Sequence, residues 1–344
     1  MKPMRAWFTA FAFVILAVCA VEAAGKPTYK IAARYQLGGD GGWDALSVDP
    51  AAGRLYLSRS TRVQVLDLKG GKLVGEILNT PGVHGVAIAP ELNRGFTSNG
   101  RDSSVTVFDL KTLAVLSRIQ LPSRNPDAIL YDPDTKRVFT FNGGSDNATA
   151  IDAAKGAVVG EVPLGGRPEF AVTDGHGQVF VNLEDSSAVV GFDAKTLAVK
   201  SRWPLAPGQE PTGLAIDRKH GRLFSACANQ TMVVLDATSG RVVATVPIGS
   251  RPDGAEFDPA SLCAISSNGE GTVTVVHEDS PDRFTVVSTD STQRSARTIA
   301  LDPKTHRLYL PAAMFGEAPA ATPENPRPRP PMVPGSFTVL VLDR

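Results

Sequence analysis

The chain repeats itself seven times. Each copy runs through an apolar segment, an Asp-Pro-like turn, an aromatic or aliphatic strand, a polar loop, and a strand ending near Asp. The turns open at Asp49-Pro50, Ala89-Pro90, Asp132-Pro133, Asp174-Gly175, Asp217, Asp258-Pro259 and Asp302-Pro303, a little over forty residues apart. That period is the length of a four-stranded propeller blade. The second strand recurs as Arg54-Leu-Tyr-Leu, Arg94-Gly-Phe-Thr, Arg137-Val-Phe-Thr, Gln178-Val-Phe-Val, Arg222-Leu-Phe-Ser and Arg307-Leu-Tyr-Leu. Its sixth copy, around Leu262 to Ser266, reads as degenerate. The third recurs at Val65-Leu-Asp67, Val107-Phe-Asp109, Ala150-Ile-Asp152, Gly191-Phe-Asp193, Val234-Leu-Asp236 and Val341-Leu-Asp343. The fourth recurs as Leu73-Val-Gly-Glu-Ile, Val158-Val-Gly-Glu-Val and Val242-Val-Ala-Thr-Val.

Short β-branched and aromatic runs with period-two alternation, separated by Gly, Pro, Asn or Asp, are strand and hairpin signals. Helical periodicity is missing beyond the N-terminal segment. An open array of such sheets would expose an edge at each end, and a ring removes that liability. The expected fold is therefore all-β, a seven-bladed β-propeller. The seventh copy ends at Arg344 without a fourth strand. The segment Lys30-Ile-Ala-Ala-Arg-Tyr-Gln-Leu37 matches fourth strands such as Gly160-Glu-Val-Pro-Leu164. The N-terminal strand, about 30–37, should complete the last blade and close the ring.

The repeat is best displayed by Arg241 to Pro259, with Gly240-Arg-Val-Val-Ala-Thr-Val-Pro-Ile-Gly249 at its centre. It resembles the YVTN-type propeller repeat, and the whole chain is similar to YncE-like periplasmic proteins over nearly all of residues 29–344. The resemblance implies a propeller fold and an exported bacterial protein. It says little of activity, because propellers host many functions. The Gly-His and Trp-Asp signature of WD40 repeats is missing; Trp43-Asp44 stands at the start of a blade, not in a third strand.

Residues 1–24 read as a signal peptide: Lys2 and Arg5, the apolar run Ala6 to Val18, and small residues at Ala23 and Ala24. The run is short for a membrane span. The mature domain would be residues 25–344, periplasmic or secreted, monomeric, with no transmembrane segment. Leu16-Ala17-Val18-Cys19 also resembles a lipoprotein box, which would anchor the chain through Cys19. Lys+Arg and Asp+Glu are 35 each, so the net charge is zero. Nucleic-acid partners ordinarily demand a basic excess, which this chain lacks. Cys227 and Cys263 fall at non-equivalent points of neighbouring repeats and read as small buried residues. No zinc-type Cys or His spacing occurs.

Loops leading into each innermost strand should surround the mouth of the axial channel. Aligned by repeat, they bring Asp44, His84, Asp127, Glu169, Thr212, Asp253 and Arg297 to it, one per blade. Converging carboxylates suit a cation or a ligand with a positive group. The candidate metal ligands are Asp127 and Glu169, with a divalent cation as the implied cofactor. Loops between the second and third strands add Arg59 and Arg101 as anion contacts. They also bring Asn99, Asn142, Asn182, Asn229 and Asn268, read as turn residues that tolerate left-handed geometry. His176, His220, His277 and His306 are expected away from the mouth, so a His-rich metal centre is not supported.

The last blade carries a Pro-rich insertion, residues 312–336, with extended and unpacked character. It should emerge beside the mouth, as a disordered loop or as a lid with Arg327 and Arg329. The leading functional expectation is an envelope binding or scaffolding protein acting through the mouth, for a small molecule or a protein partner. Two alternatives are a metal-dependent lactone hydrolase or lyase, and an accessory subunit of an exported redox enzyme.

Overall fold

The computed structural model describes residues 28–322 and 326–344. The signal-peptide reading of residues 1–24 and the lipidation of Cys19 lie outside the described residues.

The described chain folds into seven four-stranded antiparallel sheets, the blades of a propeller. Blades 1 to 6 span residues 46–78, 83–120, 126–163, 168–204, 211–247 and 252–291. Blade 7 takes three strands from residues 300–343 and its outermost strand, Lys30–Gln36, from the other end of the chain. Lys30 pairs with Asp343 and Gln36 with Thr338. The expected closure of the ring is therefore observed. One short 3-10 turn, Pro90–Leu92, is the helical content of the described residues, and no helix there is long and apolar enough to cross a membrane.

Burial follows position in the blade. Second and third strands are packed on both faces, as in Arg137–Asn142 and Ala188–Asp193, where nearly every residue is buried. Fourth strands bury one residue in several; in Val115–Gln120 that residue is Ile119. The core is thus a series of layers between neighbouring blades. Phe139 and Phe141 of blade 3 meet Val179, Val181 and Phe192 of blade 4, with the Phe139 and Phe192 rings 5.3 Å apart, edge to face. A bulge recurs between the third and fourth strands, at Val65/Leu66, Val107/Phe108, Ala150/Ile151, Gly191/Phe192 and Val234/Leu235. Each adds local twist of the kind a propeller blade needs.

The repeated polar residues are turn and seam devices. Asp193 accepts backbone N–H bonds from Lys195 and Thr196, and Asp67, Asp109, Asp152 and Asp236 do the same in their own blades. The Arg that opens the second strand reaches the next blade. Arg94 donates to the Ala153 carbonyl, and Arg137 to those of Ala194 and Lys195.

Three sequence readings change. The sixth second strand is regular: Cys263–Asn268 pairs on both sides like the others; only its side chains depart from the repeat. The asparagines do not take left-handed geometry. Asn99, Asn142 and Asn268 end their strands fully buried, and each donates to two polar side chains of the third strand. Left-handed φ belongs to the hairpin residues beyond them, Ser103 and Asp146. Asn182 is one residue out of that register, with Leu183 in the strand-end place, and it bonds the Thr212 and Gly213 carbonyls of blade 5. The Pro-rich insertion is not unpacked at its base: Phe315 bridges Met332, Gly316 N–H donates to the Pro331 carbonyl, and Phe315 packs 6.0 Å from Trp43. Apolar side chains at the two ends of the insertion give it a core that its prolines conceal. Cys227 and Cys263 are buried and unbridged.

Candidate functional site

The start of each innermost strand faces the axis. There the structure brings Asp44, His84 and Asp127 into contact across three blades. His84 Nδ1 lies 2.6 Å from Asp44 Oδ2 and 3.3 Å from Asp127 Oδ1. Across the mouth, Arg297 Nη1 is 2.5 Å from Asp253 Oδ2, and its Nη2 is 3.9 Å from Asp44 Oδ1. Glu169 is held at 3.5 Å by Arg167, whose other nitrogen is 2.9 Å from Glu184. Below lies a cavity of about 220 Å³, lined by the innermost strands, including Ser47, Val86, Phe170, Leu214 and Glu256.

The backbone that carries these groups is fixed by hydroxyls of adjoining residues. Ser98 Oγ donates to the Asp127 carbonyl and Ser267 Oγ to that of Arg297. Thr298 Oγ1 donates to the Asp44 carbonyl. Thr212, the seventh expected mouth residue, spends its hydroxyl on the Pro252 carbonyl of the next blade. It is part of the frame.

Arg59 does not open onto the mouth. It is fully buried; its guanidinium lies 3.6 Å over the Phe337 ring and its Nη2 donates to the carbonyls of Gly38, Gly39 and Asp40. Burial, then Arg62 nearby, lowers its pKa to about 10. The apolar wall that makes an arginine here hold the closing segment also keeps it from solvent.

The charges do not balance. Asp44, Asp127, Glu169, Asp253 and Glu184 face Arg167, Arg297 and His84. Protein surrounds Asp127, Glu169 and Asp253 although each keeps an opening to the channel, and this desolvation raises their pKa values. Glu169 rises to about 8, with the charges of Asp127, Glu184 and Asp253 adding to burial. Asp253 rises to about 7 through burial, against the pull of Arg297. Asp127 is raised by burial, with His84 opposing. Burial works against a charged His84, but the bond to Asp44 and the fields of Asp127, Asp44 and Glu169 prevail and carry it to about 8. Deeper in the channel Glu256 is raised to about 8 by burial.

Sequence alignment missed Arg167, Glu184 and Glu256. Glu256 had a signal: three residues past the mouth position the other blades carry Ser47, Ala87, Leu130, Val172, Ala215 and Ala300, so a carboxylate there breaks the pattern. Arg167 and Glu184 lie in loops outside the aligned column, and nothing periodic marks them.

No family model matches the chain, and no curated protein matches it. Solved structures match it in number. One is Kuenenia stuttgartiensis hydrazine synthase, with a TM-score of 0.68 and 15% identity over 80% of this chain and 94% of that one. At that identity the likeness shows the propeller fold, and the YVTN-type relationship stays a resemblance of sequence.

Proposed function

We propose that the protein binds a positively charged ligand, an amine or a divalent cation, at the axial mouth, as an exported non-enzymatic binding protein. The observation that carries this is the excess of acids in one funnel. Each of the two arginines already faces two carboxylates, and one imidazole serves Asp44 and Asp127 together. Arg167 and Arg297 are thus already engaged with acids, while Glu169 and Asp253 lack enough positive charge to ionise easily. A cation supplies what the site lacks. Export rests on the pattern of residues 1–24 and on the resemblance to YncE-like periplasmic proteins.

The test is calorimetric titration of the purified protein with divalent cations and with diamines and polyamines. Wild type should bind one class, and Glu169→Gln and Asp127→Asn should weaken it at least tenfold while staying folded. Affinity should rise from pH 6 to pH 9, because Glu169, Asp253 and His84, with pKa values of about 8, 7 and 8, must give up protons to receive a cation. A flat profile, or one that rises toward acid, would sink the reading.

The second reading, a metal-dependent lactone hydrolase or lyase, has one observation in its favour. Asp44, His84 and Asp127 can each offer a ligand atom, all within 4.8 Å of one another. Mixed imidazole and carboxylate donors suit a Lewis-acidic ion. Lactone turnover that is lost with the metal and with Asp127→Asn would move it ahead. The redox-accessory reading draws only on the name of the solved neighbour.

A further inference from the structure

A second cluster stands at the other end of the innermost strands, in the seam between blades 5 and 6. Asp217 ends the innermost strand of blade 5, His220 sits in the hairpin that follows, and Glu278 comes from the third strand of blade 6. His220 Nδ1 is 2.7 Å from Asp217 Oδ2 and 2.7 Å from Glu278 Oε1. We propose that Asp217, His220 and Glu278 form a binding site for one zinc-class divalent metal ion.

Three observations lead there. The first is isolation of the acids. Asp217 and Glu278 are each 2% exposed; Asp217 accepts backbone N–H bonds from Lys219 and His220, but among the described residues no Lys or Arg side chain forms an ion pair with either acid. The nearby guanidinium of Arg222 is committed to Asp236 and to the carbonyls of Pro281, His220 and Gly221. Two buried carboxylates with one imidazole between them are short of positive charge.

The second is unmet bonding. Both Glu278 oxygens and His220 Nδ1 are shielded from solvent without a hydrogen bond. The ring nitrogen is close to an oxygen of each acid, but the angles are not those of an N–H donor. Buried polar atoms are ordinarily satisfied. A nitrogen lone pair flanked by two carboxylate oxygens, all three within 4.8 Å, is a ligand set.

The third comes from the repeat. At the position of Glu278 the other blades carry Leu68, Leu110, Ala153, Ala194 and Ala237, and blade 7 carries Arg344. In the next seam Arg344 reaches Asp258, the counterpart of Asp217, and neutralises it. Blade 6 puts a carboxylate where the repeat calls for an apolar or basic side chain.

The donor set selects the ion. Calcium and magnesium prefer all-oxygen shells, whereas one imidazole and two carboxylates suit zinc, with water completing the shell. His220 is partly exposed, so the ion can enter from solvent.

The test uses the full chain stripped with chelator. Zn2+ is titrated by calorimetry and Co2+ is followed by its visible absorption. Wild type should bind one equivalent more than Glu278→Gln, Asp127→Asn should bind one more than the double variant Asp127→Asn/Glu278→Gln, and Zn2+ should raise the Tm of Asp127→Asn but not that of the double variant. Affinity lost in Glu278→Gln should exceed the roughly 10–100-fold that an outer-shell change costs. Glu278→Ala, which installs the residue of blades 3, 4 and 5, should melt no lower than stripped wild type. Equal zinc uptake by wild type and Glu278→Gln, or a stripped wild type whose Tm ignores Zn2+, would overturn the site and leave a proton shared between the acids.

Discussion

Glu169 and Asp193 are both acids of blade 4, and their surroundings send them in opposite directions. Asp193, in a solvent-facing turn, accepts two backbone N–H bonds that hold its pKa below the usual 3.8. Glu169 faces a crowded funnel and rises to about 8. Asp193→Ala should cost about 1 kcal/mol of stability, read by denaturant unfolding, and should leave ligand binding alone. Glu169→Gln should leave the fold intact and melt higher than wild type at pH 8. The linkage works out with one sign for the mouth. Glu169, Asp253 and Glu256 have folded pKa values raised above their unfolded ones, and so does His84. Their contribution is complete below the unfolded values and is lost as pH rises through about 7 to 8. The turn aspartates work the other way and lose their contribution as pH falls below 3.8. Without ligand, Tm should therefore fall between pH 6 and pH 9 and again in strong acid; a maximum near pH 9 would contradict this. The mouth column was legible because one residue per blade recurs at a fixed place. Arg167 and Glu184 were not, because their loops answer to local geometry instead of the repeat.

At the scale of strands and loops, the repeat encodes more than hydrophobic alternation. Arg54, Arg94, Arg137 and Arg222 open their strands and each donates to carbonyls of the following blade. Blade 4 has Gln178 in that place, and Arg218 reaches back to the Thr173 carbonyl instead. Arg137→Ala should cost about 1–2 kcal/mol, and Arg137→Lys should recover only part, since its side chain is one bond too short to bring a nitrogen where Nη1 meets both carbonyls. The periodic Arg could be seen in sequence but its partner could not, because the partners are backbone atoms without a sequence signature. The same holds for the strand-end asparagines: their recurrence was visible, while the polar side chains of the adjacent third strand that receive them were not. In the Pro-rich insertion the two ends are paired, and the described residues between them are mostly exposed. Removing residues 318–329 should leave Tm unchanged, whereas Phe315→Ala should lower it by unpacking Trp43.

For the whole molecule, the decisive seam is the one between blades 7 and 1. Tyr35, on the strand that closes the ring, lies flat over Gly71 of blade 1. A Cβ at that glycine would sit 2.0 Å from the ring, and its φ of +68° lies in the left-handed region that favours glycine. Tyr35 Oη also donates to the Leu68 carbonyl. Tyr35→Ala should cost about 3 kcal/mol and Gly71→Ala should be as damaging, both measured by thermal unfolding. The closure was legible from the missing fourth strand of the last repeat; the aromatic lock was not, although it recurs where Trp203 of blade 4 lies over Gly240 of blade 5, because its partner is backbone without a side chain to read.

That closure has a mechanical consequence. Lys30 and Asp343 are the outermost pair of one antiparallel ladder. Force applied between the two termini acts on that pair first and peels the ladder one rung at a time, instead of shearing all its rungs together. The ring is therefore weakest against a pull on its own ends, and it would open there like a zip while the other six blades still hold their shape.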